Sequence, residues 1–441
     1  MAVNSRARAT NPAMRRPVSR DGDGTTVELV VETLGAGGDG VARLDGEPVY
    51  VPWTLPGERV EARRVGADRA VPIAWRHSAP DRAAPACPHF TKCGGCTLQH
   101  LPQTAYAEWK LARVREAVAR AGCDPAVVGA LQVSPPRTRR RASFAAIRTL
   151  QGVVLGFHAP MSRDIVAITD CAVVDPALAA LLPPLRQGLG DVLDTGQRCD
   201  VAVTATASGL DVLVIGPVAA ARLSNLANAL DLARLSLARE PGASAELIAL
   251  RRAPEIRFDG VPVAPPPHAF LQATPSGEAA IIAAVLAGLG KSRHVADLYA
   301  GCGTLSLPIA ARAQVQAIDT AADALAALDV AARRSGRGPR VKTVLRDLTR
   351  RPLVEDELRG LDAVVFDPPR EGAREQAASL ARSDVPRVVA VSCNPASFAR
   401  DAYALREGGY RLEQVTPIDQ FLWSPHVELV AVFARPRRPR R

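Results

Sequence analysis

Lysine is almost missing from this chain: of 55 basic residues only four are lysine, and the rest are arginine. Alanine is abundant, a pattern that a GC-rich coding sequence produces by itself. The formal net charge of +10 therefore barely argues for a phosphate-bearing partner. No apolar run is long or unbroken enough to span a membrane. Residues 1–20 are basic without an apolar core segment, so no secretory signal is expected and a cytoplasmic location is. Eight cysteines in such a chain argue against a disulfide framework, because cytosolic thiols stay reduced. No internal repeat is present. What remains is a chain of 441 residues, 47% hydrophobic, enough for proper cores in two or three domains.

Two short motifs end successive apolar runs. Asp367-Pro368-Pro369-Arg370 follows Asp362-Ala363-Val364-Val365-Phe366, and Ser392-Cys393-Asn394-Pro395 follows Arg387-Val388-Val389-Ala390-Val391. In an open α/β sheet, ligands bind beyond the carboxyl ends of the strands. A cysteine on such a turn is placed to act as a nucleophile. An isolated cysteine after an apolar strand is more often a buried thiol, but here a cofactor site stands beside it in the sequence.

That site begins at His294-Val295-Ala296-Asp297-Leu298-Tyr299-Ala300-Gly301-Cys302-Gly303-Thr304, which reads as a strand, a glycine turn and a helix. Val315-Gln316-Ala317-Ile318-Asp319 reads as a second strand ending in an acid suited to ribose hydroxyls. Residues 341–345 read as a third, with Asp347 just beyond it placed for an adenine amino group. A nicotinamide dinucleotide would use the same acids but expects a longer G-x-G-x-x-G run, and it leaves Cys393 unexplained. S-adenosylmethionine fits better.

With these residues in view the chain resembles the RNA uracil-5-methyltransferase family, and within it the branch that acts on 23S rRNA. The resemblance extends to Phe270-Leu271-Gln272, Asp419-Gln420-Phe421 and His426-Val427-Glu428. It implies Cys393 as nucleophile and Glu428 as base. Asp367 would hold the uracil or the methionine end of the cofactor, and Gln272, Tyr299, Thr304, Asp319 and Asp347 would line the cofactor pocket. The chemistry is coherent: carbon 5 of uracil is a poor nucleophile until a thiolate adds at carbon 6, and a base must then remove the carbon-5 proton. Neighbouring chemistries fit less well. Amino-methyltransferases usually carry an aromatic residue after Pro-Pro, where Arg370 stands. Cytosine-5 enzymes tend to carry a cysteine directly after an Asp-x-Pro turn, which is absent. The chain departs from the family at Tyr299-Ala300, Thr304, Leu422 and Ser424, and it lacks asparagines usual around residues 331–336.

Three cysteines crowd into Cys87-Pro88-His89-Phe90-Thr91-Lys92-Cys93-Gly94-Gly95-Cys96, and Cys171 follows 75 positions after Cys96. Structural zinc more often shows two C-x-x-C knuckles. Iron–sulfur clusters commonly take three ligands from one segment and a fourth from elsewhere. The resemblance implies a [4Fe–4S] cluster on Cys87, Cys93, Cys96 and Cys171. A radical methylthiotransferase would expect C-x3-C-x2-C and an open iron. Cys123, Cys199 and Cys302 read as structural.

The expected fold class is α/β: a Rossmann-like methyltransferase domain with an N-terminal OB-like TRAM β-barrel and a central α+β iron–sulfur domain. The expected boundaries are a basic tail at 1–24, a five-strand barrel at 25–78, the central domain at 79–262, the methyltransferase domain at 263–434 and a basic tail at 435–441. The barrel is expected to bind RNA through a charged surface, with a purely structural appendage as the alternative. A helix is expected over 106–121 and a strand over 142–147. Arg137-Thr138-Arg139-Arg140-Arg141 reads either as an RNA grip or as a solvated turn. RNA, most of all 23S rRNA, is the expected partner and the protein is expected to be a monomer. The alternatives are a tRNA substrate, or a cluster-bearing RNA-binding redox protein without catalysis.

Overall fold

A computed structural model describes residues 24–435. The basic tails expected at 1–24 and 435–441 lie, but for their innermost residues, outside them. The chain divides into two compact units: the described residues up to Leu101 with Phe157–Val166, and Pro102–Gly156 with Ala167 onward.

The first unit holds five antiparallel strands, Thr26–Leu34, Gly40–Leu44, Glu47–Val51, Arg59–Arg64 and Ala70–His77. Side chains alternate between faces along a strand, so Leu29 and Val31 of the first strand turn inward with Val49, Val51, Val60 and Ala62. Tyr50 N donates to Asp68 O at 2.8 Å, which curls the sheet back on itself. Glu58 is wholly buried. It is satisfied by Leu55 N at 2.8 Å, the Trp75 indole at 3.1 Å and Arg82 at 2.9 Å.

The second unit contains an eight-stranded sheet. Its order is Val341–Leu345, Gln314–Asp319, His294–Leu298, Ala363–Phe366, Arg387–Ser392, Glu428–Ala434, Arg411–Asp419 and Gln132–Val133. The first five strands are parallel; Glu428–Ala434 runs antiparallel to Arg387–Ser392 and pairs antiparallel with Arg411–Asp419. Strand order reverses beside His294–Leu298, the position where open α/β sheets bind ligands. Strand residues such as Val364, Val365, Val388 and Val389 are fully buried, as expected of parallel strands covered on both faces. Helices Pro275–Leu289, Ala322–Arg334, Arg374–Arg382 and Pro395–Glu407 accompany the sheet. A further helix, Gln103–Arg120, buries Val114, Ala117 and Val118 in the same core as Leu405 and Val415. In a separate, largely antiparallel sheet, Arg141–Thr149 lies between Arg198–Thr206 and Gly152–His158. Among the described residues no helix is long and apolar enough to cross a membrane.

Candidate active site

Asp367 and Cys393 leave the carboxyl ends of neighbouring parallel strands, Ala363–Phe366 and Arg387–Ser392. The two turns are tied together by Asn394, whose side-chain amide donates to Arg370 O at 2.9 Å. The same Asn394 caps helix Pro395–Glu407 by accepting from Ala396 N at 3.0 Å. Arg370 in turn reaches a ring nitrogen of His426 at 2.9 Å.

Glu428 opens the last strand and is 2% exposed. A chain of amides connects it to Asp367. Gln420 donates to Glu428 Oε2 at 3.0 Å and to Gln272 Oε1 at 2.6 Å. Gln272 donates to Asp367 Oδ2 at 2.8 Å. Gln420 is itself held by Ala273 N, which donates to its carbonyl at 2.8 Å. Both carboxyls are pushed well above the ordinary range by burial; the Asp367 charge raises Glu428 further, while the amide donors oppose the rise. Glu428 Oε1 is buried and has no hydrogen-bond partner. The Cys393 thiol is pushed up to about 12 by burial, then by Glu428 and Asp367, with Arg370 opposing. Candidate nucleophile, base candidate and a second carboxyl thus share one electrostatic environment.

The cofactor candidates lie at the ends of the adjoining strands. Tyr299 follows His294–Leu298 with φ of 63°, a left-handed conformation costly for a bulky residue. Gly301 and Gly303 continue the turn at φ of 53° and 94°. A Cβ on Gly303 would strike Leu328, whereas one on Gly301 would meet nothing within 4 Å. The second glycine serves close packing and the first leaves the backbone open. Asp319 accepts from Gly301 N and Ala321 N, each at 2.8 Å, and so ties its own strand end to the glycine turn. Asp297 below the turn is wholly buried and raised to about 7 by burial, with Ser306 donating at 2.5 Å and Oδ1 lacking a partner. Thr304 is half-buried in the same turn, two residues before helix Ser306–Ala310. Asp347 is half-buried and bonds Thr349 N at 3.0 Å and Arg350 N at 3.3 Å, stabilising its own turn. Glycine turn, strand-end acids and an unsatisfied buried oxygen suit a polar nucleoside cofactor.

Comparison with known proteins decides the family. A TRAM domain matches residues 22–63, and the family described as tRNA (Uracil-5-)-methyltransferase matches residues 344–435. A Brucella suis protein described as an uncharacterized RNA methyltransferase is 46% identical over 94% of this chain and 99% of its own length. The 23S rRNA (uracil(1939)-C(5))-methyltransferase of Acidithiobacillus ferrooxidans is 32% identical over 92% of this chain and 97% of its own. The chain belongs to the RNA uracil-5-methyltransferase family. Its fold is that of the Pyrococcus abyssi tRNA (uracil-54, C5)-methyltransferase, solved with S-adenosyl-L-homocysteine. That structure has a TM-score of 0.71 and 23% identity, covering 92% of this chain and all of the other.

The methyltransferase keeps its crowded cysteines in a turn-rich stretch of the first unit. Cys87, Cys93 and Cys96 are half-buried there, and Gly95 N lies 3.4 Å from Cys93 Sγ. Gly94 passes so close to His158 O that a Cβ would lie 2.9 Å from it. Cys171 belongs to the second unit. Among the described residues no group of three or more His, Cys, Asp or Glu is gathered as metal ligands. The thiols of Cys199 and Cys302 are buried and pushed up to about 12 by burial.

Several residues of this methyltransferase site carry no sequence motif of their own. Lys110 and Tyr106 come from helix Gln103–Arg120 and grip Asp419, each at 2.5 Å. Arg140 is buried, paired with Glu278 at 2.5 Å, and donates to Gln272 O at 3.1 Å. The arginine run is therefore not a solvated turn throughout. Gln420 stands in the Asp419-Gln420-Phe421 motif, yet its position between Gln272 and Glu428 needs the fold. The one available signal was a polar residue held among apolar neighbours.

Proposed function

We propose that the protein transfers a methyl group from S-adenosylmethionine to carbon 5 of a uridine in RNA, with 23S rRNA as substrate. The observation that carries this reading is the link of Asp367 to Glu428 through Gln272 and Gln420, with the Cys393 thiol under the charge of both carboxyls. When bound, the cofactor supplies an electrophilic methyl group. Tyr299, Thr304, Asp319 and Asp347 are assigned to holding it.

Cys393 adds as the thiolate to carbon 6 of the uracil, and the displaced π electrons pass to the O4 enolate. Carbon 5, now nucleophilic, takes the methyl group. Glu428 then removes the carbon-5 proton; the released electron pair restores the ring double bond and expels the Cys393 thiolate. The carboxyl pair governs the first step as well. A proton on Glu428 or Asp367 removes one of the charges that repel the thiolate, so Cys393 ionises more readily in that state. Gln272, locked by Gln420, presents its amide donors towards Asp367 and is assigned to orienting it.

The rRNA assignment is supported by the likeness to the Acidithiobacillus ferrooxidans enzyme along nearly its whole length. A tRNA substrate is the second reading, favoured by the description of the matched family. The barrel of the first unit is assigned to RNA binding, supported by the TRAM match. We infer a [4Fe–4S] cluster on Cys87, Cys93, Cys96 and Cys171 from the family resemblance, with which three ligands in one segment and a fourth elsewhere agree; no step of the reaction passes through it. Mass spectrometry of rRNA and tRNA from a deletion strain tests the assignment. Loss of one 5-methyluridine in the large-subunit rRNA is expected. An unchanged rRNA with 5-methyluridine lost from tRNA transfers the assignment to tRNA.

A further inference from the structure

Asp401 is buried on the helix Pro395–Glu407, which begins two residues after Cys393, and the chemistry above gives it no task. That helix and its cap grip the loop between Asp367 and helix Arg374–Arg382 at three points. Asn394 donates to Arg370 O at 2.9 Å, Arg400 Nη2 donates to Glu371 O at 2.8 Å, and Asp401 Oδ2 accepts from Ala373 N at 2.7 Å. All three contacts fall on the main chain of the loop, so the grip fixes its backbone directly. Arg400 Nε also donates to Asp401 Oδ1 at 2.8 Å, which leaves the other carboxylate oxygen for the loop. The approach is close: a Cβ on Gly372 would lie 2.5 Å from Asp401 Oδ2.

An acid at this position carries a cost. Burial raises the Asp401 carboxyl, with the Ala373 amide and Arg400 opposing the rise. An apolar side chain would fill the same space without that cost. What the carboxylate adds is a fixed acceptor for one backbone amide of the loop. Asp401 also shares a small hollow of about 10 Å³ with Pro368 and Ser392, the chain neighbours of Asp367 and Cys393. Truncating Asp401 would enlarge that hollow and give Pro368 room to sink into it.

We propose that Asp401, braced by Arg400, is a positioning residue: it fixes the Asp367 turn against the helix that follows Cys393 and so sets the spacing of the two groups around the uracil. The proposal rests on the methylation reaction argued above. Asp367 and Cys393 stand on separate turns, and hydrogen bonds along a strand pair end where the strands end. Beyond that point the spacing of the turns depends on contacts such as these. A misplacement of about 1 Å between reacting groups lowers a rate by about a hundredfold.

The test compares the full-length wild type with Asp401→Ala and Asp401→Asn, using S-adenosylmethionine and a short RNA containing the target uridine. Asp401→Ala should lower kcat by about tenfold to a hundredfold, with KM for the RNA little changed. Asp401→Asn keeps an oxygen for the Ala373 amide and should retain most of the turnover. The second readout needs no RNA: alkylation of Cys393 by iodoacetamide, followed by peptide mass spectrometry. Cys393 should react faster in Asp401→Ala, by about threefold, because the released turn carries Asp367, which raises the thiol more than Arg370 lowers it. Buried Cys302 should react no faster, which separates a moved turn from a loosened fold. Should Asp401→Ala fail to fold, Arg400→Gln, on a partly exposed side chain, should show a smaller loss of kcat with the same faster alkylation. Wild-type turnover and alkylation in folded Asp401→Ala overturn the proposal. So do a loss of turnover with unchanged Cys393 reactivity, and an Asp401→Asn as impaired as the alanine variant. A wild-type enzyme that methylates no RNA removes the reaction itself, while the alkylation comparison still reads the position of the turn.

Discussion

Lys110 Nζ lies 2.5 Å from Asp419 Oδ1, and neither side chain reaches solvent. The same ammonium group donates to Phe421 O at 3.2 Å and His426 O at 2.7 Å, closing the loop that separates Gln420 from Glu428. A helix more than 300 residues earlier in the chain thereby holds the loop that leads to Glu428.

Lys110→Met should destabilise the protein by about 3–5 kcal/mol, because it leaves the Asp419 carboxylate buried without its cation. Urea unfolding of the variant measures this. Adding Asp419→Leu should recover part of the loss, since the uncompensated charge is then gone. A single variant as stable as wild type would mean the pair is not buried in solution.

Glu428→Gln should stabilise the protein at pH 8 and leave it nearly unchanged at pH 5. The Glu428 carboxyl is raised above its ordinary 4.5 by burial and by Asp367, so the folded state holds its proton more tightly than the unfolded chain does. The stability this contributes is full below about pH 4.5 and is lost as pH rises through the folded value. A permanently neutral amide escapes that loss, by about 1 kcal/mol or more at pH 8. Equal melting-temperature shifts at the two pH values would contradict it.

RNA bearing 5-fluorouridine at the target should be methylated and then trapped, because fluorine cannot leave carbon 5 as a proton does. Denaturing gels should show a covalent complex with the wild-type enzyme and none with Cys393→Ala. On ordinary uridine, Glu428→Gln should still add and transfer methyl but accumulate adduct. Substantial turnover by Cys393→Ala would exclude thiolate addition. Inactive Glu428→Gln without adduct would reduce Glu428 to a positioning role.

Asp319→Ala should weaken S-adenosylmethionine binding by about 1–3 kcal/mol, from the lost ribose contact and from release of the Gly301 turn that Asp319 anchors. Unchanged affinity by calorimetry would remove Asp319 from the site.

Protein prepared without oxygen should be brown and contain about four irons per chain. One tightly held zinc in a colourless preparation would replace the cluster assignment. Cys171→Ser should lower stability more than Cys123→Ser, because Cys171 is assigned to the cluster and Cys123 is not; both thiols are partly buried.

The sequence by itself determined the strands and what stands at their ends. Apolar runs bounded by Asp367, Cys393, Tyr299 and Asp319 are legible because strand, turn and helix formation depend on neighbours in the chain. The five short barrel strands are legible for the same reason, through their alternation and glycine breaks. Which side chains would face one another was not. Gln420 between Gln272 and Glu428, Arg140 on Glu278, and Lys110 on Asp419 join positions 8 to 309 residues apart. Such pairs leave no periodic trace, since a buried polar group is recognised only by the partner that satisfies it. The arginine run shows the difference most plainly. Consecutive arginines look alike in sequence, yet one becomes a buried structural cation and the next lines a cleft. Only the tertiary structure decides this, because adjacent side chains point in different directions and each meets a different neighbour there.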